Sequence, residues 1–333
     1  MSNIAVVGSG GWGTALAVMA DRMGHCVTLW SAFEEEIAAI RSKGEHTKLL
    51  PGIAVSPRIA LTTDMACVTD ADLIILAVPS FAIRDTVQKL APHVKQGALI
   101  ANAGKGIEET TCQLFSQIIE AAVPQASLVV LSGPSHAEEV GRGVPTSLVA
   151  ACSNLTDAER VQQLLINDRL RLYTSTDVIG AQLGGALKNV IALAAGICDG
   201  LQMGDNAKAA LMTRGLAEIA RLGVKMGAES NTFAGLTGMG DLIVTCGSMH
   251  SRNRRAGILI GQGVPPAEAV QRVGTVEGYL AAATAHRLAE REQVLMPITD
   301  ICYRICYENY PAREAVQALM SRPGCNEKDT VWF

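Results

Sequence analysis

Aromatic residues and positive charge are both scarce in this sequence of 333 residues. Phe, Trp and Tyr together make up 4% of it, whereas apolar residues make up 49% and glycine contributes 32 residues. A core with so few rings is packed from Ala, Val, Leu and Ile, with close backbone approaches at glycine, which is more typical of an α/β protein than of an all-β sandwich. Because the length exceeds what one hydrophobic core usually organises, we expect two domains.

The charge distribution argues against a nucleic-acid partner. The formal net charge is −4, and a broad nucleic-acid surface would need a basic stripe. The run Arg252-Asn253-Arg254-Arg255 is the exception. Its local charge fits a phosphate-sized ligand better than a duplex, and a solvated surface patch is the alternative interpretation.

Cysteine spacing gives no sign of a metal site. The nine cysteines include no Cys-x-x-Cys pair and no Cys/His ligand spacing. Several lie in apolar segments, as is typical of small buried side chains in a reducing compartment. The N-terminus lacks a basic segment followed by a cleavable apolar stretch, and we find no apolar run that approaches membrane-spanning length. We therefore expect a soluble cytoplasmic protein without a metal ion and without membrane insertion.

The hydrophobic pattern changes part-way along the chain. Continuous apolar runs alternate with helical patterns in the first half, which predicts a doubly wound, Rossmann-like α/β domain. From about residue 174 onward, successive helical patterns are joined at Pro and Gly, which predicts an all-helical second domain. The predicted strands are residues 4–7, 26–30, 73–78, 98–103, 128–131 and 146–150. The predicted helices are residues 13–23, 82–90, 111–122, 181–201, 207–226, 251–260, 265–271, 277–291, 297–308 and 312–320.

A glycine-rich turn, Gly8-Ser9-Gly10-Gly11-Trp12-Gly13, links the first predicted strand to the first predicted helix. In this pattern Gly8 permits a tight turn, Gly10 lets the backbone approach a pyrophosphate, and Gly13 allows close packing of helix on strand. The helix N-terminus then faces the phosphates. A glycine turn without a ligand is the alternative. The context predicts a dinucleotide-binding domain over residues 1–178 and a helical substrate and catalytic domain over residues 179–333.

The end of the second predicted strand bears on the choice of cofactor. An NAD enzyme usually has an acidic residue there, about 20 residues past the glycines, and an NADP enzyme offers Arg. This chain has Ser31-Ala32-Phe33, followed by the carboxylates of residues 34–36. The missing Arg and the nearby carboxylates favour NAD over NADP.

Two lysines are candidates for the chemistry. Lys105 lies between two glycines after a predicted strand, where an anionic ligand would bind, although an ordinary surface lysine is the alternative. Lys188 and Asn189 are the only polar side chains in the apolar segment 184–193. A lysine there either extends to solvent or is buried, and burial brings its pKa toward the range of acid–base catalysis.

Two further segments carry candidate ligand contacts. Asp241 lies among glycines before an apolar run, where a loop or cap residue is the alternative. Ser251, Arg252 and Asn253 lie at a predicted helix start. A hydroxyl, a planar guanidinium and an amide together with free backbone N–H groups suit a phosphate.

Taken in order, these segments resemble the bacterial-type NAD(P)-dependent glycerol-3-phosphate dehydrogenases, and the likeness runs nearly end to end. The segments that carry it are residues 8–16, Asn102-Ala103-Gly104-Lys105-Gly106, Ser132-Gly133-Pro134-Ser135-His136-Ala137, Gly185-Ala186-Leu187-Lys188-Asn189, residues 238–246, Ser251-Arg252-Asn253 and Val276-Glu277-Gly278. The family pattern often has His or Arg where Ala32 and its neighbours stand, and it has an Asn and an aromatic residue that the loop 46–52 lacks.

The resemblance implies the interconversion of sn-glycerol 3-phosphate and dihydroxyacetone phosphate by hydride transfer to or from NAD or NADP, supplying phospholipid synthesis. It implies that Lys188 is the proton acceptor and donor. The implied substrate contacts are Lys105, Gly133, Ser135, Lys188, Asn189, Asp241, Thr245, Ser251, Arg252 and Asn253. The implied cofactor contacts are Gly11, Trp12, Lys105, Ala137, Arg252 and Glu277, in addition to Gly8, Gly10 and Gly13 of the turn.

Two other functions remain open from the sequence. A β-hydroxyacid dehydrogenase would share this architecture and a helix-borne lysine, and a non-catalytic redox sensor would bind dinucleotide without turnover. The first does not account as well for residues 102–106 or for Ser251-Arg252-Asn253, and the second would not need a buried Lys188 beside Asn189. An apolar helical second domain is also compatible with a homodimer, and the sequence leaves feedback inhibition and the physiological direction of the reaction open.

Overall fold

The computed structural model describes residues 1–324 and residue 326. The chain divides into two compact units. The first contains residues 1–105 and 114–178, and the second contains residues 106–113 and the chain from residue 179 onward. The last residues of the predicted second domain, 325 and 327–333, lie outside the described residues.

The first unit is built on an eight-stranded sheet with the order β10-β9-β8-β7-β6-β1-β2-β5. Neighbouring strands are parallel except for β8 and β9, which are antiparallel. The strands are β1 Asn3–Val7, β2 Cys26–Trp30, β5 Ala60–Thr62, β6 Leu73–Leu76, β7 Leu99–Asn102, β8 Ser127–Ser132, β9 Thr146–Ala151 and β10 Leu170–Ser175, and a separate hairpin consists of β3 Glu45–His46 and β4 Leu50–Ala54. The central strands are buried along their whole length, because helices cover both faces of the sheet.

Six α-helices belong to this unit. They are α1 Gly11–Arg22, α2 Glu34–Lys43, α3 Ile83–Leu90, α4 Phe115–Ala122, α5 Ala137–Arg142 and α6 Leu155–Leu165. The predicted helix over residues 111–122 is wrong at its start, because Cys112 adopts a left-handed backbone with φ of 56° that a helix cannot contain. Helix α4 therefore begins only at Phe115.

Over residues 179–320 the second unit consists of helices and the loops that join them, whereas its residues 106–113 contain no helix. Its helices are α7 Val178–Gly200, α8 Gly204–Lys225, α9 Ser230–Ala234, α10 Asp241–Gly247, α11 Arg252–Gly261, α12 Pro266–Val273, α13 Glu277–Glu292, α14 Pro297–Tyr307 and α15 Ala312–Met320, and a π-helical turn spans Leu236–Gly240. A Rossmann-like sheet domain followed by an all-helical region confirms the predicted fold class.

Helix α7 differs from the sequence expectation about apolar runs. It has 23 residues and is long and apolar enough, by length and composition, to cross a membrane, although we expected no such segment. Its most apolar window is 89% buried within the structure, as in the core helix of a globular protein. Glycines bring α8 and α11 into close contact with α7, at Gly215 and Gly196 respectively.

Candidate functional site

The glycine-rich turn has the backbone that its sequence requires. Gly8 has φ of +117°, and a Cβ added there would lie 2.6 Å from the carbonyl oxygen of Ala77. A Cβ at Gly13 would lie 1.8 Å from the carbonyl oxygen of Gly8. By contrast, a Cβ at Gly10 would meet no atom within 4 Å. The turn is thus closed against the sheet at two glycines and open at the N-terminus of α1, and this open side fits a pyrophosphate.

The next two residues of the turn connect it to neighbouring loops. A Cβ at Gly11 would lie 2.6 Å from the carbonyl oxygen of Leu49. Trp12 donates its indole N–H to the carbonyl oxygen of Ala103 at 3.1 Å. The start of α1 is therefore held against the loop that follows β7.

Lys105, Gly133 and Ser135 come together at the carboxyl ends of β7 and β8. The Lys105 ammonium donates to the carbonyl oxygen of Gly133 at 2.7 Å and to Oγ of Ser135 at 3.0 Å. Gly133 has φ of +122°, a conformation that favours glycine. Ala137 begins α5 directly after this loop. The first unit thus holds one half-buried cation at the edge of the sheet where ligands bind in this fold.

A buried polar cluster lies in the second unit. Lys188 on α7 is 6% exposed, and Asp241 at the start of α10 is fully buried. The Lys188 ammonium contacts the Asp241 carboxylate and donates to Oγ1 of Thr245 at 2.8 Å. Thr245 donates its hydroxyl to the carbonyl oxygen of Asp241 at 2.6 Å. A cation this deep in a protein requires such a paired carboxylate to offset its desolvation.

Glycines allow Asp241 to approach Lys188. A Cβ at Gly184 on α7 would lie 2.3 Å from the carbonyl oxygen of Thr237, and a Cβ at Gly238 would lie 2.1 Å from the carbonyl oxygen of Phe233. The π-helical turn Leu236–Gly240 can therefore pack directly on α7 only with glycine at position 184, and glycine at position 238 lets the same turn pack against Phe233 of α9. This turn ends where α10 begins, and Asp241 is the first residue of α10.

Asn189 belongs to a second hydrogen-bonded group. Its Oδ1 accepts from Nδ2 of Asn253 at 2.8 Å, and Oδ1 of Asn253 accepts from the backbone N–H of Gly278 at 2.8 Å. Glu277, the neighbour of Gly278, begins α13. These bonds join α7, α11 and α13, so both amides have a positioning role within the unit.

The basic cluster at the start of α11 is divided between two environments. Ser251 caps the helix, since its Oγ accepts from the backbone N–H of Arg254 at 3.2 Å, and Arg252 is the exposed first helical residue. Arg254 instead points inward and donates to the carboxylate of Asp199 at 2.7 Å. The same carboxylate forms an ion pair with Lys208. Burial works to raise the pKa of Asp199, but its bonds to Lys208 and Arg254 outweigh burial and lower it.

Comparison with known proteins places the chain in one family. Residues 3–158 match the N-terminal model of NAD-dependent glycerol-3-phosphate dehydrogenase, and residues 177–317 match its C-terminal model. The chain belongs to the NAD-dependent glycerol-3-phosphate dehydrogenase family. It is 50% identical over 324 residues to a glycerol-3-phosphate dehydrogenase [NAD(P)+] of Agathobacter rectalis, covering 97% of this chain and 96% of that protein. It is 48% identical over 331 residues to the enzyme of the same name from Moorella thermoacetica, covering 98% of each.

Solved structures show the same relationship. The glycerol-3-phosphate dehydrogenase of Coxiella burnetii superposes with a TM-score of 0.93 at 36% identity, covering 96% of this chain and 99% of that one. The enzyme of Saccharomyces cerevisiae superposes with a TM-score of 0.82 at 26% identity, covering 95% and 98%. These matches confirm the family, the enzyme class, the use of NAD or NADP and a small phosphorylated substrate.

One cluster in the first unit was not singled out from the sequence. The carboxylate of Glu36 on α2 accepts hydrogen bonds from Oγ of Ser9, from Oγ of Ser31 at 2.6 Å and from Nε2 of His46 at 3.0 Å. Burial works to raise the pKa of Glu36, but these three bonds outweigh burial and lower it to about 2. Three consecutive carboxylates in the sequence do not by themselves distinguish Glu36 from residues 34 and 35. Glu36 could have been distinguished from these two residues because it lies next to Ile37 and one helical turn before Ile40, the two side chains that α2 buries.

Metal-ligand geometry is missing from the described part of the chain. Within residues 1–324 and residue 326, no group of three or more His, Cys, Asp or Glu side chains comes together to hold a metal ion. The eight cysteines in this part are all free. The polar chemistry of both units therefore rests on the lysines, carboxylates and amides described above.

Proposed function

We propose that the chain interconverts sn-glycerol 3-phosphate and dihydroxyacetone phosphate by hydride transfer to or from NAD or NADP. Residues 1–178 form the dinucleotide-binding domain in this proposal, and residues 179–333 form the substrate and catalytic domain. The observation that carries the proposal is the buried Lys188–Asp241 pair with Thr245 at hydrogen-bond distance. This chain belongs to a family of dehydrogenases, and its nearly inaccessible lysine is suited to exchange a proton with a bound substrate, because the bound substrate displaces water from the site.

Lys188 is the proposed acid and base. Bound NAD or NADP supplies the acceptor or donor of the hydride that leaves or joins C2 of the substrate. In the reducing direction the Lys188 ammonium donates a proton to the C2 oxygen as that oxygen gains negative charge. In the oxidising direction neutral Lys188 takes the proton of the C2 hydroxyl. Asp241 accepts a hydrogen bond from Nζ of Lys188 and fixes its direction, and Thr245 accepts a second hydrogen bond from the same nitrogen.

Arg252 is proposed to hold the substrate phosphate. It is exposed, and it is the first residue of a ten-residue helix whose N-terminus favours an anion. Ser251 and Asn253 flank it, and Asn189 is bonded to Asn253. In the first unit Lys105, Gly133 and Ser135 are the proposed substrate contacts, because they gather around one cation at the ligand edge of the sheet.

The proposed cofactor contacts begin with the glycine turn. Its open side at Gly10 and the free N–H groups of α1 support pyrophosphate binding by residues 8–13. The resemblance to the family adds Lys105, Ala137, Arg252 and Glu277.

We also propose a cellular location and an oligomeric state for the chain. Free and largely buried cysteines support a reducing cytoplasmic location, and burial of α7 supports a chain that does not insert into a membrane. The exposed apolar side chains Met239, Ile243 and Met249 support a homodimer, which light scattering of the purified protein would test. In the reducing direction the proposed reaction would supply glycerol 3-phosphate for phospholipid synthesis.

A substrate panel tests the proposed reaction. Purified protein is mixed with NAD and, separately, with sn-glycerol 3-phosphate, glycerol or 3-hydroxyisobutyrate, and formation of NADH is followed by absorbance. We expect NADH only with glycerol 3-phosphate, because Arg252 requires a phosphate. Turnover of the non-phosphorylated hydroxyacid would instead indicate a β-hydroxyacid dehydrogenase. Cofactor binding without turnover of any substrate would indicate a sensor.

A further inference from the structure

The Glu36 cluster lies where the adenosine ribose of a dinucleotide binds in this fold. Ser9 is the second residue of the glycine turn after β1, and Ser31 is the first residue after β2. Both hydroxyls donate to the same oxygen of Glu36, Oε2. In doubly wound sheets the ribose is bound between these two strand ends, usually by an acid that directly follows the second strand. Here that position is occupied by Ser31, Ala32 and Phe33. The carboxylate is instead that of Glu36, in the first turn of α2.

His46 fixes the other carboxylate oxygen. Its Nδ1 accepts from the backbone N–H of Leu49 at 3.3 Å, so the ring proton is on Nε2, which lies 3.0 Å from Oε1 of Glu36. His46 itself is buried, whereas the Glu36 side chain is 25% exposed. The Glu36 carboxylate thus accepts hydrogen bonds from three protein groups, and part of this side chain remains accessible to solvent. Its pKa of about 2 leaves it ionised throughout the neutral range.

We propose that Glu36 is the residue that selects NAD over NADP in this chain. Its carboxylate substitutes for the missing strand-end acid, accepts hydrogen bonds from the ribose hydroxyls and repels a 2′-phosphate. The residues directly after β2 offer no cation to offset that repulsion, since they are Ser31, Ala32 and Phe33. The inference rests on the proposed dinucleotide-binding role of residues 8–13 and goes beyond it by assigning the cofactor preference to one side chain.

The magnitude follows from the repulsion between like charges. A carboxylate and a phosphate about 5 Å apart near a protein surface repel each other enough to reduce affinity about 10- to 100-fold after screening by salt. We therefore expect the wild-type chain to bind NADPH about 10- to 100-fold more weakly than NADH. Replacing the charge with a neutral amide of the same shape removes the repulsion but retains hydrogen-bonding groups.

Direct binding tests this assignment without turnover. NADH and NADPH are titrated separately into wild type, Glu36→Gln and the matched control Glu35→Gln, and cofactor fluorescence gives each dissociation constant. Glu35 lies on the same helix, is exposed, and loses the same charge on substitution. We expect Glu36→Gln to bind NADPH at least 10-fold more tightly than wild type and NADH somewhat more weakly. Glu35→Gln should keep the wild-type ratio of the two constants.

Equal affinity of the wild type for NADH and NADPH would overturn the assignment, as would an unchanged ratio in a folded Glu36→Gln protein. If Glu36→Gln does not fold, wild-type protein decides the question: ADP-ribose should displace NADH about 10- to 100-fold more effectively than its 2′-phosphate, and equal displacement would overturn the assignment. Failure of the proposed function would look different. It would appear as absence of dihydroxyacetone phosphate reduction while both cofactors still bind.

Discussion

Replacing Lys188 with Met tests the proton-transfer step of the proposed mechanism directly. The substitution preserves much of the side-chain volume within α7 and removes the ammonium that contacts Asp241 and Thr245. Loss of a positioned proton donor reduces turnover by about 10² to 10⁴-fold, which corresponds to roughly 3–5 kcal/mol of activation free energy. The dissociation constant for NADH should not change, because Lys188 is not among the proposed cofactor contacts.

The same substitution should also lower stability. Asp241 is fully buried, so Lys188→Met leaves its carboxylate without its cation. Removing one partner of a buried ion pair typically costs about 3–5 kcal/mol of unfolding free energy. The double variant Lys188→Met with Asp241→Asn also removes the buried carboxylate charge that lost its ion pair with Lys188, so we expect it to regain much of the stability and none of the turnover. This difference separates the structural role of the pair from its chemical role.

The assay combines three measurements on each variant. Initial rates of dihydroxyacetone phosphate reduction give kcat and KM, cofactor fluorescence gives the NADH constant, and urea denaturation gives the unfolding free energy. Lys208→Met is the matched control, since it breaks a lysine–aspartate pair in the same unit while Asp199 keeps Arg254 as a partner. A kcat within 10-fold of wild type for Lys188→Met would refute its proton-transfer role. An equal kcat loss in Lys208→Met would show that the effect is not specific to Lys188.

Three further predictions concern phosphate binding, cofactor binding and pH. Arg252→Ala should raise the KM for dihydroxyacetone phosphate about 10- to 100-fold with less effect on kcat, because a charge-assisted bond is lost; an unchanged KM would remove Arg252 from the phosphate site. Gly13→Ala places a Cβ 1.8 Å from the Gly8 carbonyl oxygen, so the turn must shift and NADH affinity should fall at least 10-fold; wild-type affinity would contradict the assigned turn. Burial raises the pKa of Glu218 to about 7, against the bonds it accepts from Ile298 and Thr299. The stability it contributes is therefore full below its unfolded pKa and is lost as the pH rises through 7, so wild type should lose roughly 2–3 kcal/mol relative to Glu218→Gln between pH 5 and pH 8; parallel urea-derived curves would refute this.

Much of the sheet domain follows from continuous apolar runs. The strands at 4–7, 26–30 and 146–150 were placed within one residue of the observed bounds, because parallel strands buried on both faces have an uninterrupted apolar sequence. The predicted helix ends in the second unit also agree closely, as for α15 at Ala312–Met320. Pro and Gly mark these ends through backbone constraints that act locally.

The elements that the sequence did not reveal lack this signal. Strand β10 alternates buried and exposed residues because it lies at the edge of the sheet, and β5 has only three residues. The helices α2, α5 and α6 were missed because they bury few side chains each; α2 buries only Ile37 and Ile40. Edge and surface elements carry a weaker hydrophobic pattern than the core, so tertiary context determines them.

The candidate site shows the same division. Lys188, Asp241 and the residues at the start of α11 are visible in the sequence as polar side chains in apolar or glycine-rich surroundings. The glycine contacts that bring Asp241 to Lys188, and the bonds that gather Ser9 and His46 around Glu36, join residues distant in sequence. Such contacts depend on the folded backbone, and no local pattern specifies them.

The most direct test of the central claim is the reduction of dihydroxyacetone phosphate by the purified protein. NADH oxidation is followed by absorbance with dihydroxyacetone phosphate and, in a parallel reaction, with unphosphorylated dihydroxyacetone. The account predicts rapid oxidation with the phosphorylated ketone only, because turnover requires both proton exchange at Lys188 and phosphate binding at Arg252. Absence of oxidation with dihydroxyacetone phosphate, in protein shown to bind NADH, would contradict it.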